Sequence, residues 1–155
     1  YQDIFTEIAK KKNVSNVSEL VSELVRKRII LNFNQDIISL PHVVNTLESL
    51  EQGGIKVDCL VIDGVNLNKL TVQDVTAISD YAKKTGAVVW FSTSSDSGDI
   101  KDVVPHELES LFHAIIHLEA KSDVIELMVL KFGAEGPHNS GLKLDSKTLL
   151  MAENR

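Results

Sequence analysis

The stretch Val57-Asp58-Cys59-Leu60-Val61-Ile62-Asp63-Gly64-Val65-Asn66 constrains the fold of this chain more than any other. Five of the six residues before Asp63 are apolar or Cys, a run that suits a strand buried on both faces of a parallel sheet. The run then meets a carboxylate followed by glycine. In open α/β sheets ligands sit beyond the carboxyl ends of the strands, so Asp63 is aimed at a site where it holds Mg²⁺ directly or through water. The alternative is that its side chain caps the following turn. The run alone leaves both readings open.

Taken in order, the chain predicts a short helix over residues 1–12, with Ile4, Phe5 and Ile8 on one face. A second helix follows, with Asn16 as its cap, Glu19 completing a capping box, and Val17, Leu20, Val21, Leu24 and Val25 at helical spacing. Ile29-Ile30-Leu31-Asn32-Phe33 reads as a strand with the polar loop Asn34-Gln35-Asp36 at its carboxyl end. Ser39 and Pro41 open a helix that Gly53-Gly54 stops. After the Asp63 strand, Thr71 and Asp74 start a helix carrying Val72, Val75, Ile78 and Ala82, closed by Gly86. Ala87 to Thr93 is a strand that again ends in polar residues. This alternation implies an α/β fold with right-handed parallel crossovers.

Past Ser94 the rhythm changes. A loop rich in Ser, Asp and Gly, Ser94 to Asp102, leads into a short helix over 105–112. Ala114 to Leu118 and Val124 to Phe132 read as a hairpin joined by 119–123. A Gly-rich loop, Gly133 to Gly141, precedes a last hairpin of Leu142-Lys143-Leu144 and Thr148 to Met151. The expected sheet is therefore mixed, with an antiparallel tail. A length of 155 residues predicts one domain, and the start at Tyr1 rather than Met predicts a piece of a longer protein.

Composition excludes several classes. No apolar run reaches the ~18 residues of a membrane span, and no secretory segment opens the chain. One cysteine, Cys59, allows no internal disulfide and predicts a reducing, cytoplasmic setting in which Cys59 serves packing. A net charge of −6 argues against a dedicated nucleic-acid binder. The clusters Lys10-Lys11-Lys12 and Arg26-Lys27-Arg28 fall at expected helix ends, where cations complement the dipole.

Three further constellations carry less chemistry. His113 and His117, preceded by His106-Glu107, invite a metal, but on a strand the two imidazoles stand ~13 Å apart, too far for one ion. Gly133 to Gly141 lacks a lysine and opens a hairpin rather than a helix, so it reads as a turn, not a phosphate cradle. Asp36, Asp63, Thr93 or Ser94, and Lys131 outline a receiver-like acidic pocket. A receiver needs two helices and a strand between its acidic pair and its phosphoacceptor, and one helix fits between Asp36 and Asp63.

The order of these elements resembles the RecA-like core of P-loop ATPases, closest to the branch of DnaB-type helicases and KaiC. Ile29 to Asp36, the Pro41 helix and Leu60-Val61-Ile62-Asp63 are similar to that core's third strand, helix and Walker B strand. Tyr81-Ala82-Lys83-Lys84-Thr85-Gly86-Ala87-Val88-Val89 is similar to its alanine- and lysine-rich helix running into the next strand. Leu127 to Gly133, with Gly136-Pro137, resembles the hairpin that carries a Lys-x-Arg pair. The resemblance covers nearly the whole chain and implies a largely parallel central sheet. It also implies ATP with Mg²⁺ as cofactors, Asp63 as the metal carboxylate, and Thr93 and Lys131 facing the γ-phosphate side or a neighbouring subunit.

The departures set the expected function. The chain contains no G-x-x-x-x-G-K-[ST], the loop that cradles phosphates with backbone N–H groups. In the family that loop and the water-activating glutamate lie upstream of the part matched here, so the domain is expected to lack its phosphate-loop portion, and nucleotide binding requires that portion upstream. Thr93 stands where the family has Gln, and Gly133 where it has the arginine finger, whose loss costs ~10³ or more in rate. The loop Ser94 to Asp102 carries three carboxylates against one lysine, which opposes single-stranded DNA. The sequence thus predicts an incomplete nucleotide-binding ATPase module without helicase activity, or a non-catalytic RecA-like module that binds a protein partner or a further copy of itself.

Overall fold

The computed structural model describes residues 2–33 and 39–152. In chain order, helices α1 (Gln2–Lys11), α2 (Val17–Lys27) and α3 (Leu40–Gln52) precede strand β1 (Cys59–Ile62). A 3₁₀ turn at Leu67–Lys69, helix α4 (Val72–Thr85) and strand β2 (Val88–Phe91) follow. Two single-turn helices, α5 (Ile100–Val103) and α6 (His106–Glu109), lead to strands β3 (Ala114–Ala120), β4 (Val124–Phe132) and β5 (His138–Asp145). The fold is mixed α/β, with a two-stranded parallel sheet β1-β2 and a three-stranded antiparallel sheet β3-β4-β5. The chain divides into two compact units, Phe33–Ile115 and Tyr1–Asn32 with Ile116–Arg155.

In the continuous unit, helix signals are placed where the sequence puts them. Pro41 sits in the first turn of α3, and the helix ends as the Gly53 N–H donates to Ser49 O at 3.1 Å. Thr71 and Asp74 form the full capping box of α4: the Thr71 N–H donates to Asp74 Oδ2 at 2.9 Å and the Asp74 N–H to Thr71 Oγ1 at 3.2 Å. Gly86 closes α4 at φ 76°, donating to Ala82 O at 2.8 Å, in a left-handed conformation that costs a side-chain-bearing residue about 1–2 kcal/mol.

These caps fix the register of two amphipathic helices against the sheet. Leu40, Val43 and Leu47 of α3 and Ile78 and Tyr81 of α4 form one buried cluster, and Leu60, Ile62, Val89 and Phe91 pack onto it from β1 and β2. A second cluster, Leu67, Val75, Val104 and Leu108, ties α4 to the turns that follow each strand. Phe91 and Phe112 meet edge to face with centroids 5.5 Å apart, a geometry the ring quadrupoles favour.

Strand β1 is not covered on both faces as its apolar run predicts. Leu60 and Ile62 point to the helices, while Cys59 and Val61, with Val88 and Trp90 beside them, are exposed, Val61 at 63% and Trp90 at 50%. Cys59 is therefore a surface residue rather than a packing one, and Trp90 is exposed on the same face. The physical reason is that α3 and α4 cover the same side of the sheet. Ile29 to Phe33 likewise forms no strand and lies exposed; β propensity needs a partner backbone to satisfy its donors and acceptors. The loop expected at Asn34-Gln35-Asp36 lies outside the described residues.

In the other unit α1 and α2 pack on each other. Asn16 precedes α2 in a left-handed conformation, φ 62°, and makes no side-chain cap, so the expected capping box is not formed. The β3-β4 turn closes through the Lys121 N–H on Val124 O at 2.8 Å. Strand β5 begins at His138, inside the expected Gly133–Gly141 loop, because its polar residues pair through backbone: Asn139 faces Met128 and His138 faces Val129. The expected last strand is reduced to one bridge, Leu144 with Met151. Asp145 supports that turn, its Oδ1 accepting from the N–H of Lys147 and from the N–H and hydroxyl of Thr148. Those Thr148 bonds hold its carboxyl below the usual range. Among the described residues no helix is long and apolar enough to cross a membrane.

Candidate functional site

Backbone pairing between β1 and β2 continues one residue past the strands. The Ser92 N–H donates to Ile62 O at 2.9 Å and the Val65 N–H to Ser92 O at 2.8 Å. This brings Asp63 and Ser92 side by side at the carboxyl end of the sheet. The Ser92 hydroxyl donates to Asp63 Oδ1 and accepts from the Gly64 N–H at 3.1 Å. Gly64 adopts φ 68°, which a β-carbon would disfavour, and it lets the chain turn away directly after the carboxylate. Asp63 itself is exposed.

Two turns then form the walls of a cleft of about 370 Å³ at this end of the sheet. One wall runs from Gly64 to Asn68, anchored by buried Leu67 and stiffened where Asn66 Oδ1 accepts from the Asn68 N–H at 3.1 Å. The other runs from Thr93 to Ser95. Beyond it the acidic loop is tied by its own hydroxyls and carboxylates. Ser95 Oγ accepts from the Ser97 N–H at 3.1 Å, Ser97 Oγ donates to Asp102 Oδ2 at 2.7 Å, and Asp99 Oδ1 accepts from the Lys101 N–H at 3.0 Å to start α5. Asp102 lines the cleft with Asn66, Asn68, Thr93 and Ser94. The lining is thus made of amides, hydroxyls, aliphatic groups and one carboxylate, a surface suited to hydrogen bonding and to a hydrated cation rather than to a bare anion.

Of the residues the sequence singled out, Asp63 directly precedes the first lining residue without lining the cleft itself, and Thr93 lies in the wall. Lys131 is half-buried on β4, in the other unit. Asp36 lies outside the described residues. Ser92 was missed, although a period of two from Val88 through Trp90 places it beside Asp63. Among the described residues no group of three or more His, Cys, Asp and Glu side chains is placed to hold a metal. Compared with protein-family models, with curated proteins and with solved structures, the chain matches none.

Proposed function

We propose that this chain is a RecA-like nucleotide-binding module in which Asp63 positions Mg²⁺ and Thr93 faces the terminal phosphate of ATP. The observation that carries the reading is the pairing of Asp63 with Ser92 at the carboxyl ends of two adjacent parallel strands, each directly followed in sequence by residues that line a polar cleft. Open α/β sheets place ligands there. Ser92 engages one carboxylate oxygen and leaves the other for a metal or its water shell, and Mg²⁺ keeps several waters and uses one or two carboxylates. These residues do not form a phosphate cradle, because the sequence has no G-x-x-x-x-G-K-[ST], so under this reading the chain's own contribution is to hold the metal and to orient it through Ser92.

Because the reading needs a phosphate-loop portion upstream of these residues, isothermal titration of the full-length protein with ATP, with and without Mg²⁺, tests it. Magnesium-dependent heat that Asp63→Ala abolishes supports it; absence of binding in the presence of Mg²⁺ overturns it.

A second reading is a non-catalytic RecA-like module that binds a protein partner. It is favoured by the uncovered apolar face of the β1-β2 sheet and by Gly133 in the place of an arginine finger. Under it, Asp63→Ala leaves assembly unchanged, and loss of assembly on that substitution counts against it.

A further inference from the structure

Helix α2 runs directly into an uncovered apolar stretch. The Arg28 N–H donates to Val25 O at 3.2 Å, and at Arg28 the backbone turns extended, φ −94° and ψ 127°. Ile29, Ile30 and Leu31 follow outside any helix or strand, and are 48%, 66% and 38% exposed. A single exposed aliphatic side chain is ordinary, but three in succession make a patch that marks an interaction surface. Directly before them Arg26, Lys27 and Arg28 are exposed as well. The Arg26 Nε–H donates to Ser22 O at 3.4 Å, and Lys27 Nζ pairs with Glu23 Oε1 at 2.7 Å. Both contacts run along the helix surface, where such an ion pair is worth little.

Charge selects what this segment meets. Residues 1–32 carry six Lys and Arg against four Asp and Glu, so of the chain's net −6 the remaining residues hold −8. An anionic surface therefore attracts this segment and repels the rest. Cations adjoining exposed aliphatic side chains are the chemistry of a segment that lies on an anionic bilayer, with the basic groups at the headgroups and the aliphatic ones at the headgroup–acyl boundary. Backbone outside helix and sheet needs water for its N–H and C=O groups, which the headgroup layer supplies and the hydrocarbon core does not. A nucleic acid would engage the cations and leave Ile29, Ile30 and Leu31 uncovered, while its phosphates met the −8 of the other residues.

We propose that Arg26 to Leu31 is a peripheral membrane contact, which lies at the surface of a bilayer containing anionic phospholipid. Three cations and three aliphatic side chains fall short of stable anchoring, so the contact is reversible, and its electrostatic part weakens in salt. The inference goes beyond both readings of the function and uses neither the cleft nor the β1-β2 face, so its measurements are made without nucleotide.

The test is co-sedimentation of the protein with vesicles of phosphatidylcholine alone and of equal parts phosphatidylcholine and phosphatidylserine, in low and in high salt. The wild type is expected to pellet with the mixed vesicles in low salt, and to stay in solution in high salt or with phosphatidylcholine alone. Changing the three cations together, Arg26→Gln, Lys27→Gln and Arg28→Gln, is expected to weaken binding by about a hundredfold, each cation near such a surface contributing about fivefold. Ile30→Ser, at the most exposed of the three aliphatic positions, is expected to weaken it by about tenfold. Lys83→Glu, at an exposed cation of α4, is expected to leave binding unchanged. A wild type that stays in solution with the mixed vesicles overturns the proposal, as does an equal loss from Lys83→Glu, which would make net charge the cause. Binding that the triple change abolishes and Ile30→Ser leaves intact also overturns it, and identifies instead a basic surface for any polyanion. Circular dichroism of each variant separates lost binding from lost folding, and Ile29→Ser repeats the aliphatic arm at a neighbouring position.

Discussion

The Ser92 hydroxyl donates to the carboxylate of Asp63 across the ends of two neighbouring parallel strands. The same oxygen accepts from the Gly64 N–H, so Ser92 holds both the charged group of the candidate site and the turn that carries it. A ligating carboxylate is oriented by such partners, and their removal weakens metal binding by about 10–100-fold.

Ser92→Ala is therefore expected to weaken magnesium-dependent nucleotide binding by about tenfold while the exposed position limits the loss of stability to about 1 kcal/mol. Ser92→Thr, which keeps the hydroxyl, is expected to restore binding. Titration calorimetry beside a denaturant melt reads both, and equal binding by wild type and Ser92→Ala would remove Ser92 from the site.

Tyr81 gives a prediction at alkaline pH. Its ring is buried against α3 and its hydroxyl donates to Glu51 Oε1 at 3.0 Å. Burial, then the Glu51 bond, pushes the phenol up to about 12, against about 10 in an unfolded chain. Raised in the folded state, the group contributes stability that is fully present below about pH 10 and is lost as pH rises from there toward 12. Ultraviolet phenolate absorbance is expected to show a late step near that value, absent in Tyr81→Phe.

Ile78 and Leu108 anchor the two clusters of the continuous unit and are 1% and 0% exposed. Ile78→Ala is expected to cost about 2–5 kcal/mol by removing buried methylenes and leaving a cavity between α3, α4 and the sheet. At the exposed amino end of the same helix, Val72→Ala is expected to change stability by no more than about 0.5 kcal/mol. Denaturant midpoints for the two variants would fail the assignment of this core if they moved equally.

The capping box of α4 offers a coupling measurement. Thr71→Ala is expected to cost about 1 kcal/mol. Because Thr71 and Asp74 bond to each other and to each other's backbone, the double variant with Asp74→Ala is expected to cost less than the sum of the two single changes. Strict additivity in the four-way comparison would contradict a shared cap.

Much of the continuous unit is legible in the sequence because its signals are local. Pro41 and Gly53-Gly54 bracket α3, Thr71 and Gly86 bracket α4, and the apolar runs into Asp63 and Thr93 become parallel strands that place a cleft at their ends. What the sequence hid depends on partners. The run Cys59 to Ile62 does not say how many faces will be covered, and Ile29 to Phe33 does not say that no ladder will form. Asn16 has the chemistry of a cap but a left-handed backbone that turns its side chain from the task. Ser92 was passed over because Thr93 occupies the position matched to a family glutamine, while alternation along β2 places Ser92 next to the carboxylate.

The division of the chain also sets an order in time. One unit is a continuous stretch, Phe33–Ile115, whereas the other is assembled from residues before and after it. A polypeptide emerging amino end first presents every residue of the continuous unit while the second segment of the other is still to be synthesised. Helices α1 and α2 are therefore synthesised before the whole intervening stretch, and β3, β4 and β5 of the same unit only after it.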